Sequence, residues 1–420
     1  MKNNFSYTPS ELGGLTLHIC DPEERLTVPS TYKGKPVVEI GAYGTLSNLI
    51  SITIPASVQR IKSITFSDAK LLEEVIFEEG SELEVIDSSA FARCEKLEEI
   101  TIPASVKNVG SNSFHECKAL KRVIFEEGSI LGVIESSAFK GCEALEEIEI
   151  PETVSCISDF AFSGCKSLKS ISLPEPVIVL GEYVFQNCVA LKKVEFHPDI
   201  EFPKIKKGAF WECFSLTEIA IPRDVEEIGW CAFRNCSALS KITFAEGSCL
   251  RKVEESAFSG TTFCELDLSP CRELTRLEKY SLSTNAGSVR IIFPEGCDPY
   301  VDEMAIPWYV GEFVNKPPRC KIPTNKKKKP ESKKKGCYVA TCVYGSYDCP
   351  EVWVLRRYRD ETLSASRLGR AFIKVYYAVS PTLVKWFGNT SLFQTLCRGR
   401  LDKMVAKLRK KGVENTPYED

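Results

Sequence analysis

The residues of this 420-residue chain that could do chemistry are its cysteines and histidines. It has nineteen cysteines but only three histidines, His18, His115 and His197. No histidine follows residue 197, which excludes a Cys–His nucleophilic pair from the rest of the chain. No phosphate-binding glycine loop and no His-Glu-x-x-His motif occurs. We therefore predict no catalytic residue, no metal site and no cofactor, and a protein that is not an enzyme.

Seven cysteines each lie three residues after a Phe and three residues before a Leu. They are Cys94, Cys117, Cys142, Cys165, Cys188, Cys213 and Cys236. Stacked repeat units would place such equivalent side chains about 4.8 Å apart, which permits some disulfides but does not require them. The pattern favours reduced thiols that pack as small buried side chains over a metal or disulfide ladder.

The elements that carry these residues are repeat units of 23 or 25 residues. Their Phe positions are Phe66, Phe91, Phe114, Phe139, Phe162, Phe185, Phe210, Phe233 and Phe258. Each unit contains a short alternating strand, such as residues 100–102 (ITI), which ends at a Pro or at an Glu-Glu-Gly-Ser turn. One unit cannot bury its apolar face alone, so we expect roughly ten stacked coils. The Ala-Phe-x-x-Cys segment is expected to form a short helical turn.

These units resemble the BspA-type leucine-rich repeats. The resemblance rests on phrases such as residues 145–154 (LEEIEIPETV) and 161–168 (AFSGCKSL), and it covers about residues 12–295. It implies an α+β repeat solenoid in which short strands stack in a parallel sheet. It also implies a surface or secreted binding protein that acts in adhesion or protein recognition.

Leucine-rich solenoids recognise partners with the side chains that project outward from the stacked strands. We call this side of the repeat the strand face. Its candidate partner-binding residues are Glu99, Thr101, Arg122, Ile124, Glu147, Glu149, Ser170, Ser172, Lys193, Glu195, Glu218, Lys241 and Thr243. The set is polar and net acidic, which suits a basic or mixed protein partner. The alternative is a solvated face without a partner. No small-molecule substrate is expected.

The charge of the chain is divided between two regions. Residues 321–411 contain 22 Lys and Arg against 6 Asp and Glu, whereas the whole chain has a net charge of -3. Such asymmetry indicates two units with different partners. We predict a solenoid over residues 1–300, a Pro- and Lys-rich linker over 301–336, a basic helical domain over 337–411 and an acidic tail over 412–420.

The segment 337–408 is similar to the CFI-box C-terminal domain, a small module found at the ends of otherwise unrelated bacterial proteins. The similarity rests on residues 337–346 (CYVATCVYGS), 355–360 (LRRYRD) and 368–372 (LGRAF). It implies architecture more than activity. The apolar stripe and basic remainder of this segment predict a small α-helical domain. Cys337, which follows the basic run, is a candidate reactive or modified thiol.

These observations predict a non-enzymatic scaffold that binds a protein partner through the strand face, with the C-terminal domain docking or localising it. The alternative is a protein tethered to an anionic membrane surface, or to nucleic acid, through residues 321–411. Nucleic acid is the less expected of these partners. The sequence shows no signal peptide or transmembrane helix, so the default compartment is the cytoplasm, whereas the family resemblance points to the cell surface.

Overall fold

The computed structural model describes residues 5–318 apart from 287, 308 and 309, together with residues 320, 350–363, 366, 370–371, 373, 375–376, 391–411 and 413. The chain divides into two compact units, residues 1–324 and 325–420. The first unit is a solenoid of parallel strands, and the second contains helices. The expected fold class, a repeat solenoid followed by a helical region, is confirmed.

The solenoid begins with an antiparallel strand pair. Four strands form this start: β1 (Phe5–Pro9), β2 (Leu15–Ile19), β4 (Thr31–Tyr32) and β5 (Lys35–Ala42). β1 runs antiparallel to β2, and β2 pairs with β5 in parallel. β4 runs antiparallel to β5, and all pairings among the strands of the later coils are parallel, as they must be when each strand is followed by a full turn of the coil.

The strand face is formed by one strand from each coil. These strands are β3 (Arg25–Thr27), β6 (Ser51–Ile54), β8 (Glu74–Phe77), β10 (Glu99–Ile102), β12 (Arg122–Phe125), β14 (Glu147–Ile148), β16 (Ser170–Leu173), β18 (Lys193–Phe196), β20 (Glu218–Ile221), β22 (Lys241–Phe244), β24 (Glu265–Asp267), β26 (Val289–Ile292) and β28 (Val310–Val314). The solenoid thus has about 13 turns. The expectation of ten was too low because the terminal coils lack the marker Phe. Leu282, for example, is buried and follows Phe258 in the next coil.

Each coil also contains a very short strand that follows its strand-face strand, and these short strands form a second row, which we call the edge sheet. It comprises β7 (Arg60–Ile61), β9 (Val85–Ile86), β11 (Asn108–Val109), β13 (Val133–Ile134), β15 (Cys156–Ile157), β17 (Val179–Leu180), β19 (Lys204–Ile205), β21 (Glu227–Ile228), β23 (Lys252–Val253), β25 (Arg276–Leu277) and β27 (Tyr300–Val301). The second residue of each strand faces the core, while the first faces outward.

The third side of each coil, which we call the turn side, contains the marker Phe and its neighbours. It forms consecutive turns and not the expected helical turn. Its backbone bonds to the next coil instead: the N–H groups of Ser89, Phe91 and Arg93 donate to carbonyls 22 residues further on, over 2.7–2.8 Å. Left-handed backbone at Ser89 (φ 58°) and Arg93 (φ 59°) turns these groups outward along the solenoid axis and prevents a helix.

A stack of Phe rings runs through the whole core. The nine marker Phe side chains lie with centroids 5.0–5.6 Å apart and interplanar angles of 1–18°. All nine are fully buried. Burial of each contributes about 1.5–3 kcal/mol before the entropy of ordering is counted. The core also includes Ala305, Ile306 and Cys320, and β27 and β28 extend the solenoid past residue 300, where the sequence predicted the linker to begin.

In the second unit, the structure describes two helices and a π-helical segment. α1 spans Pro350–Arg357, the π-helix spans Tyr358–Leu363, and α2 spans Ser391–Lys410. Val352, Leu355, Val405 and Leu408 form its apolar cluster. Arg356, one of the basic residues of this segment, is buried beside Leu355 in α1.

Candidate protein-interaction surfaces

The structure places all thirteen predicted strand-face residues on the outward side of β10–β22 or directly after β14. Twelve are exposed, and Thr101 is half-buried. They alternate with buried residues such as Ile100 and Ile102 because successive side chains of a strand point to opposite sides. Partner binding by these thirteen residues stays a prediction.

An open groove of about 930 Å³ lies on the strand face between β12 and β18. It coincides with a break in the sheet: β14 ends at Ile148, and its ladder is not continued by β16. Glu149 and Ile150 therefore lie beyond the end of β14, beside Ser170 and Ser172 of the next coil. The ladder of the strand face is also interrupted after β8, β18 and β22, but the groove lies at the interruption where the strand itself, β14, is only two residues long.

The groove is acidic. Its charged lining residues are Arg122, Glu126, Glu147, Glu149, Glu152 and Glu195. Arg122 is neutralised by an ion pair with Glu99, and Glu195 pairs with Lys193 at 2.5 Å. Glu147 and Glu149 form no ion pair within the described part of the chain, so their negative charge faces solvent. The groove can therefore attract a cationic group without first breaking a salt bridge.

Two isoleucines add apolar area to this acidic surface. Ile124 lies in the groove with 40% of its surface exposed, and Ile76 lies two coils earlier with 41% exposed. Isolated exposed apolar residues are common, but these two occupy equivalent positions on one face, in two 25-residue coils separated by one 23-residue coil. The strand face thus offers negative charge and apolar contact together.

The paired glutamates that recur along the chain have a structural role on the strand face. Lys121 pairs with Glu98 at 2.7 Å, and Lys169 pairs with Glu146 at 2.5 Å. Lys241 pairs with Glu218 in the same way at 3.1 Å. Each pair joins adjacent coils across 23 residues. Exposed ion pairs of this kind contribute little to stability, so their main effect is to hold opposite charges of adjacent coils beside each other.

The turn side carries an aromatic row that the sequence analysis missed. It consists of Phe160, Tyr183, Trp211 and Trp230. Ring centroids are 4.9 Å apart for Phe160–Tyr183, 6.2 Å for Tyr183–Trp211 and 5.7 Å for Trp211–Trp230. All four residues are half-buried. The signal that could have revealed the row is an aromatic residue two positions before the marker Phe in two successive coils.

Backbone strain accompanies this row. Phe160 has φ 58° and Tyr183 has φ 54°. The left-handed conformation costs a residue with a Cβ about 1–2 kcal/mol, and bulky side chains tolerate it worst. Five other coils carry small or turn-favouring residues at this position, namely Ser89, Asn112, Ser137, Gly208 and Ser256. Ile64, Cys231 and Tyr280 hold the same left-handed conformation in three further coils, so a bulky side chain at this position is not confined to the aromatic row.

The seven ladder cysteines are free and buried, and each thiol has a defined partner. The Cys165 thiol donates to the Phe139 carbonyl at 3.3 Å, and the Cys188 thiol donates to the Phe162 carbonyl at 3.2 Å. The other five repeat this bond to the Phe of the preceding coil over 3.0–3.2 Å. Burial raises the pKa of Cys188 to about 12, so this thiol is a poor nucleophile in the folded state. Cys337 lies outside the described residues.

A group of charges joins the edge sheet to the turn side. Glu227 accepts hydrogen bonds from Lys204 at 2.8 Å and Lys252 at 3.1 Å. Lys252 also pairs with Glu254 at 2.8 Å, and the other carboxylate oxygen of Glu254 accepts the Trp230 N–H at 2.7 Å. This network holds the backbone at one end of the aromatic row. Among the described residues, no group of three or more metal-ligating side chains is arranged to hold a metal ion.

A β-solenoid of short coils with an outward strand face defines this chain as a leucine-rich-repeat protein. Six copies of the BspA type leucine rich repeat region match it over residues 38–132, 132–203 and 203–304, and the chain belongs to that family. The similarity to the CFI-box domain stays a prediction. No curated protein sequence matches the chain significantly.

Three solved structures illustrate the similarity. The pneumococcal vaccine antigen PcpA is 21% identical, with 75% of this chain and 84% of the antigen covered and a TM-score of 0.44. A leucine-rich-repeat protein of T. pallidum is 27% identical, with 46% and 89% covered and a TM-score of 0.38. A leucine-rich cell surface protein of Faecalibacterium prausnitzii is 23% identical, with 62% and 91% covered and a TM-score of 0.29.

The described part of the second unit exposes a basic helix surface. Arg400, Lys403, Lys407 and Lys410 of α2 are exposed, while Val405 and Leu408 of the same helix are buried. The helix is therefore amphipathic, with its cationic residues toward solvent. None of the described helices has both the length and the apolar character needed to cross a bilayer.

Proposed function

We propose that this protein is a non-enzymatic recognition scaffold whose strand-face groove binds a basic segment of a protein partner. The observation that carries the proposal is the groove at the break after β14, where Glu147 and Glu149 are unpaired beside the exposed Ile124. A partner segment with alternating basic and apolar side chains suits this surface, because it can neutralise the carboxylates and cover the isoleucine. Family membership supports a binding role.

The test compares two charge-reversed variants of the full chain. Glu147→Lys/Glu149→Lys reverses the unpaired carboxylates of the groove, and Glu98→Lys/Glu146→Lys makes the same change in net charge at neighbouring paired positions. Binding of a labelled peptide that alternates lysine and leucine is measured by fluorescence anisotropy. We expect the first variant to bind about tenfold or more weakly, a change of about 1.4 kcal/mol, and the second to bind within about threefold of the wild type. Equal losses would show general electrostatic attraction and would refute the groove.

We propose that the C-terminal region, with its similarity to the CFI-box domain, docks or localises the scaffold. The exposed cations of α2 support an anionic membrane surface as the alternative working partner. Co-sedimentation of the full chain with phosphatidylglycerol vesicles tests this alternative. Lys403→Glu/Lys407→Glu should abolish a salt-sensitive association, whereas Lys96→Glu/Lys121→Glu in the solenoid should leave it intact. An association that both variants retain would argue against α2 as the docking element.

A further inference from the structure

The aromatic row on the turn side is built as one continuous surface. The ring of Tyr183 lies across Gly208, where an added Cβ would stand 2.3 Å from the Tyr183 Cδ1 atom. Any other residue at position 208 would displace the ring. Gly208 therefore lets Tyr183 reach Trp211 in the next coil, and Trp211 in turn contacts Trp230. The row links four aromatic side chains across four successive coils.

Two ammonium groups lie on this row without a carboxylate partner. The Lys140 Nζ atom stands 5.0 Å from the Phe160 ring centroid. The Lys207 Nζ atom lies between two rings, 5.6 Å from Tyr183 and 4.8 Å from Trp230. Neither lysine forms an ion pair with any residue that the structure describes. Cation–π contact fixes the position of each ammonium but leaves N–H donors free for an anion.

A further donor in the row has no partner. The indole Nε1 of Trp211 is buried without a hydrogen-bond partner among the described residues. The Arg234 guanidinium, itself 5% exposed, lies 5.5 Å from the Trp211 ring. Buried hydrogen-bond donors in folded proteins normally have a partner. The indole N–H of Trp211, which has none beside this cationic patch, therefore indicates that an acceptor group of a bound partner can supply the missing hydrogen bond after a small side-chain movement.

We propose that the aromatic row is a second interaction surface, which binds an acidic protein segment that carries apolar side chains. Carboxylates of the segment pair with Lys140 and Lys207, and its apolar side chains pack on the ring edges between them. Trp, Tyr and Arg are the residues enriched at energetic hot spots of protein interfaces. Asp159 and Glu182 flank the row, and they disfavour a densely charged polyanion such as a nucleic acid. The surface is independent of the strand-face groove and has the opposite charge preference.

The test uses the full chain and a photoreactive peptide that alternates glutamate and leucine. Crosslinked residues are mapped by mass spectrometry, because the basic region 321–411 also attracts an acidic peptide. The variant is Lys140→Gln/Lys207→Gln. The control is Lys206→Gln/Lys279→Gln, which removes the same charge, and Lys279 stands over the ring of Tyr280, outside the aromatic row. Circular dichroism confirms that each variant is folded.

In the wild type we expect crosslinks within residues 140–234. The peptide concentration that gives half-maximal crosslinking should rise about tenfold in Lys140→Gln/Lys207→Gln. In the control variant, the same concentration should rise less than about threefold. Glu147→Lys/Glu149→Lys should leave these crosslinks unchanged, which separates the proposal from the strand-face groove. Crosslinks confined to residues 321–411, or equal shifts in the variant and its control, would overturn it.

Discussion

The strand face and the aromatic row of the turn side hold their lysines in different ways, although Arg93 elsewhere on the turn side is ion-paired with Asp68. On the strand face, Lys121 and Lys169 each pair with a glutamate of the preceding coil. On the turn side, Lys140 and Lys207 lie over aromatic rings and form no ion pair that the structure describes. In the strand-face groove, the charges without an ion pair among the described residues include the carboxylates of Glu147 and Glu149. One repeat thus presents two surfaces of opposite chemical preference.

This difference shows that the repeat constrains the residue type only at inward positions. The Phe, Leu and Cys of successive coils must match their neighbours, since each ring stacks on its equivalent in the adjacent coil and each thiol donates to the Phe carbonyl of the coil before it. Outward positions meet solvent and can change from one coil to the next at little cost. Function can therefore differ between two sides of one solenoid without any change in the core.

The largest expected effect comes from breaking the core that both surfaces share. Phe162→Ala removes a ring that stacks 5.4 Å from Phe139 and 5.6 Å from Phe185. It should lower the free energy of unfolding by about 3–5 kcal/mol. Phe160→Ala, two residues earlier but half-buried, should cost no more than about 1.5 kcal/mol, because it loses mainly one ring stack. Urea denaturation measures both, and similar losses would contradict the division into core and surface.

The second effect is a loss of stability in acid, on the order of 2 kcal/mol, which arises from the Glu227 network at one end of the aromatic row. Burial raises the pKa of Glu227, but the ammonium groups of Lys204 and Lys252 that bond to it outweigh burial and lower that pKa to about 2 from 4.5. Because the folded pKa lies below the unfolded one, this stability is present above pH 4.5 and is lost as the pH falls toward 2. Thermal unfolding from pH 6 to pH 2 measures it.

Glu227→Gln should flatten the pH dependence of stability in that window. The neighbouring Glu226 provides the matched control, since it is more exposed and pairs with Arg251 at 3.2 Å. Glu226→Gln should leave the acid response close to that of the wild type. If the two variants respond alike, the Glu227 network does not account for the acid sensitivity.

The ladder thiols should have a smaller effect. Cys165→Ala removes the bond from the thiol to the Phe139 carbonyl and leaves a small void, so it should cost about 1–2 kcal/mol. Cys264→Ala, at an exposed position, should change stability by less than about 0.5 kcal/mol. Equilibrium denaturation under reducing conditions compares them. An unchanged stability in Cys165→Ala would mean that the thiol bond is dispensable.

The smallest effect sharpens the comparison of the two sides directly. Lys207→Gln loses contact with two rings and should cost about 0.5–1 kcal/mol, largely independent of salt. Lys121→Gln loses only an exposed ion pair, so its effect should be close to the detection limit and vanish at high salt. Thermal melts at low and high ionic strength separate the two lysines. A salt-dependent loss in Lys207→Gln would indicate an ordinary ion pair.

The core could be predicted from the sequence because it repeats. The recurrence of Phe139, Cys142 and Leu145 at fixed spacing specifies a stack, and those residues are buried together. The number of coils could not be counted in this way, since Leu282 replaces Phe in a coil near the C-terminal end. The role of the thiols as hydrogen-bond donors could not be predicted either, because the spacing indicates burial but not the atom that each thiol contacts.

The two candidate surfaces were predictable to different degrees. Strand alternation gave the outward residues of β10–β22, but the groove depends on the early end of β14, which composition does not reveal. The aromatic row depends on left-handed backbone at Phe160 and Tyr183, a conformation that local sequence preference disfavours for these residues. Only neighbours in adjacent coils, such as Gly208 beneath the Tyr183 ring, explain why the row forms.

The bonding of each coil to the coil before it and the coil after it has a mechanical consequence. Tension applied along the chain would load one inter-coil interface at a time, beginning at an end. Each coil that is pulled away would release 23 or 25 residues and lengthen the tether by about 80 Å. A scaffold anchored at one end and bound to a partner at the other would therefore yield in steps under load and rewind when the load is removed.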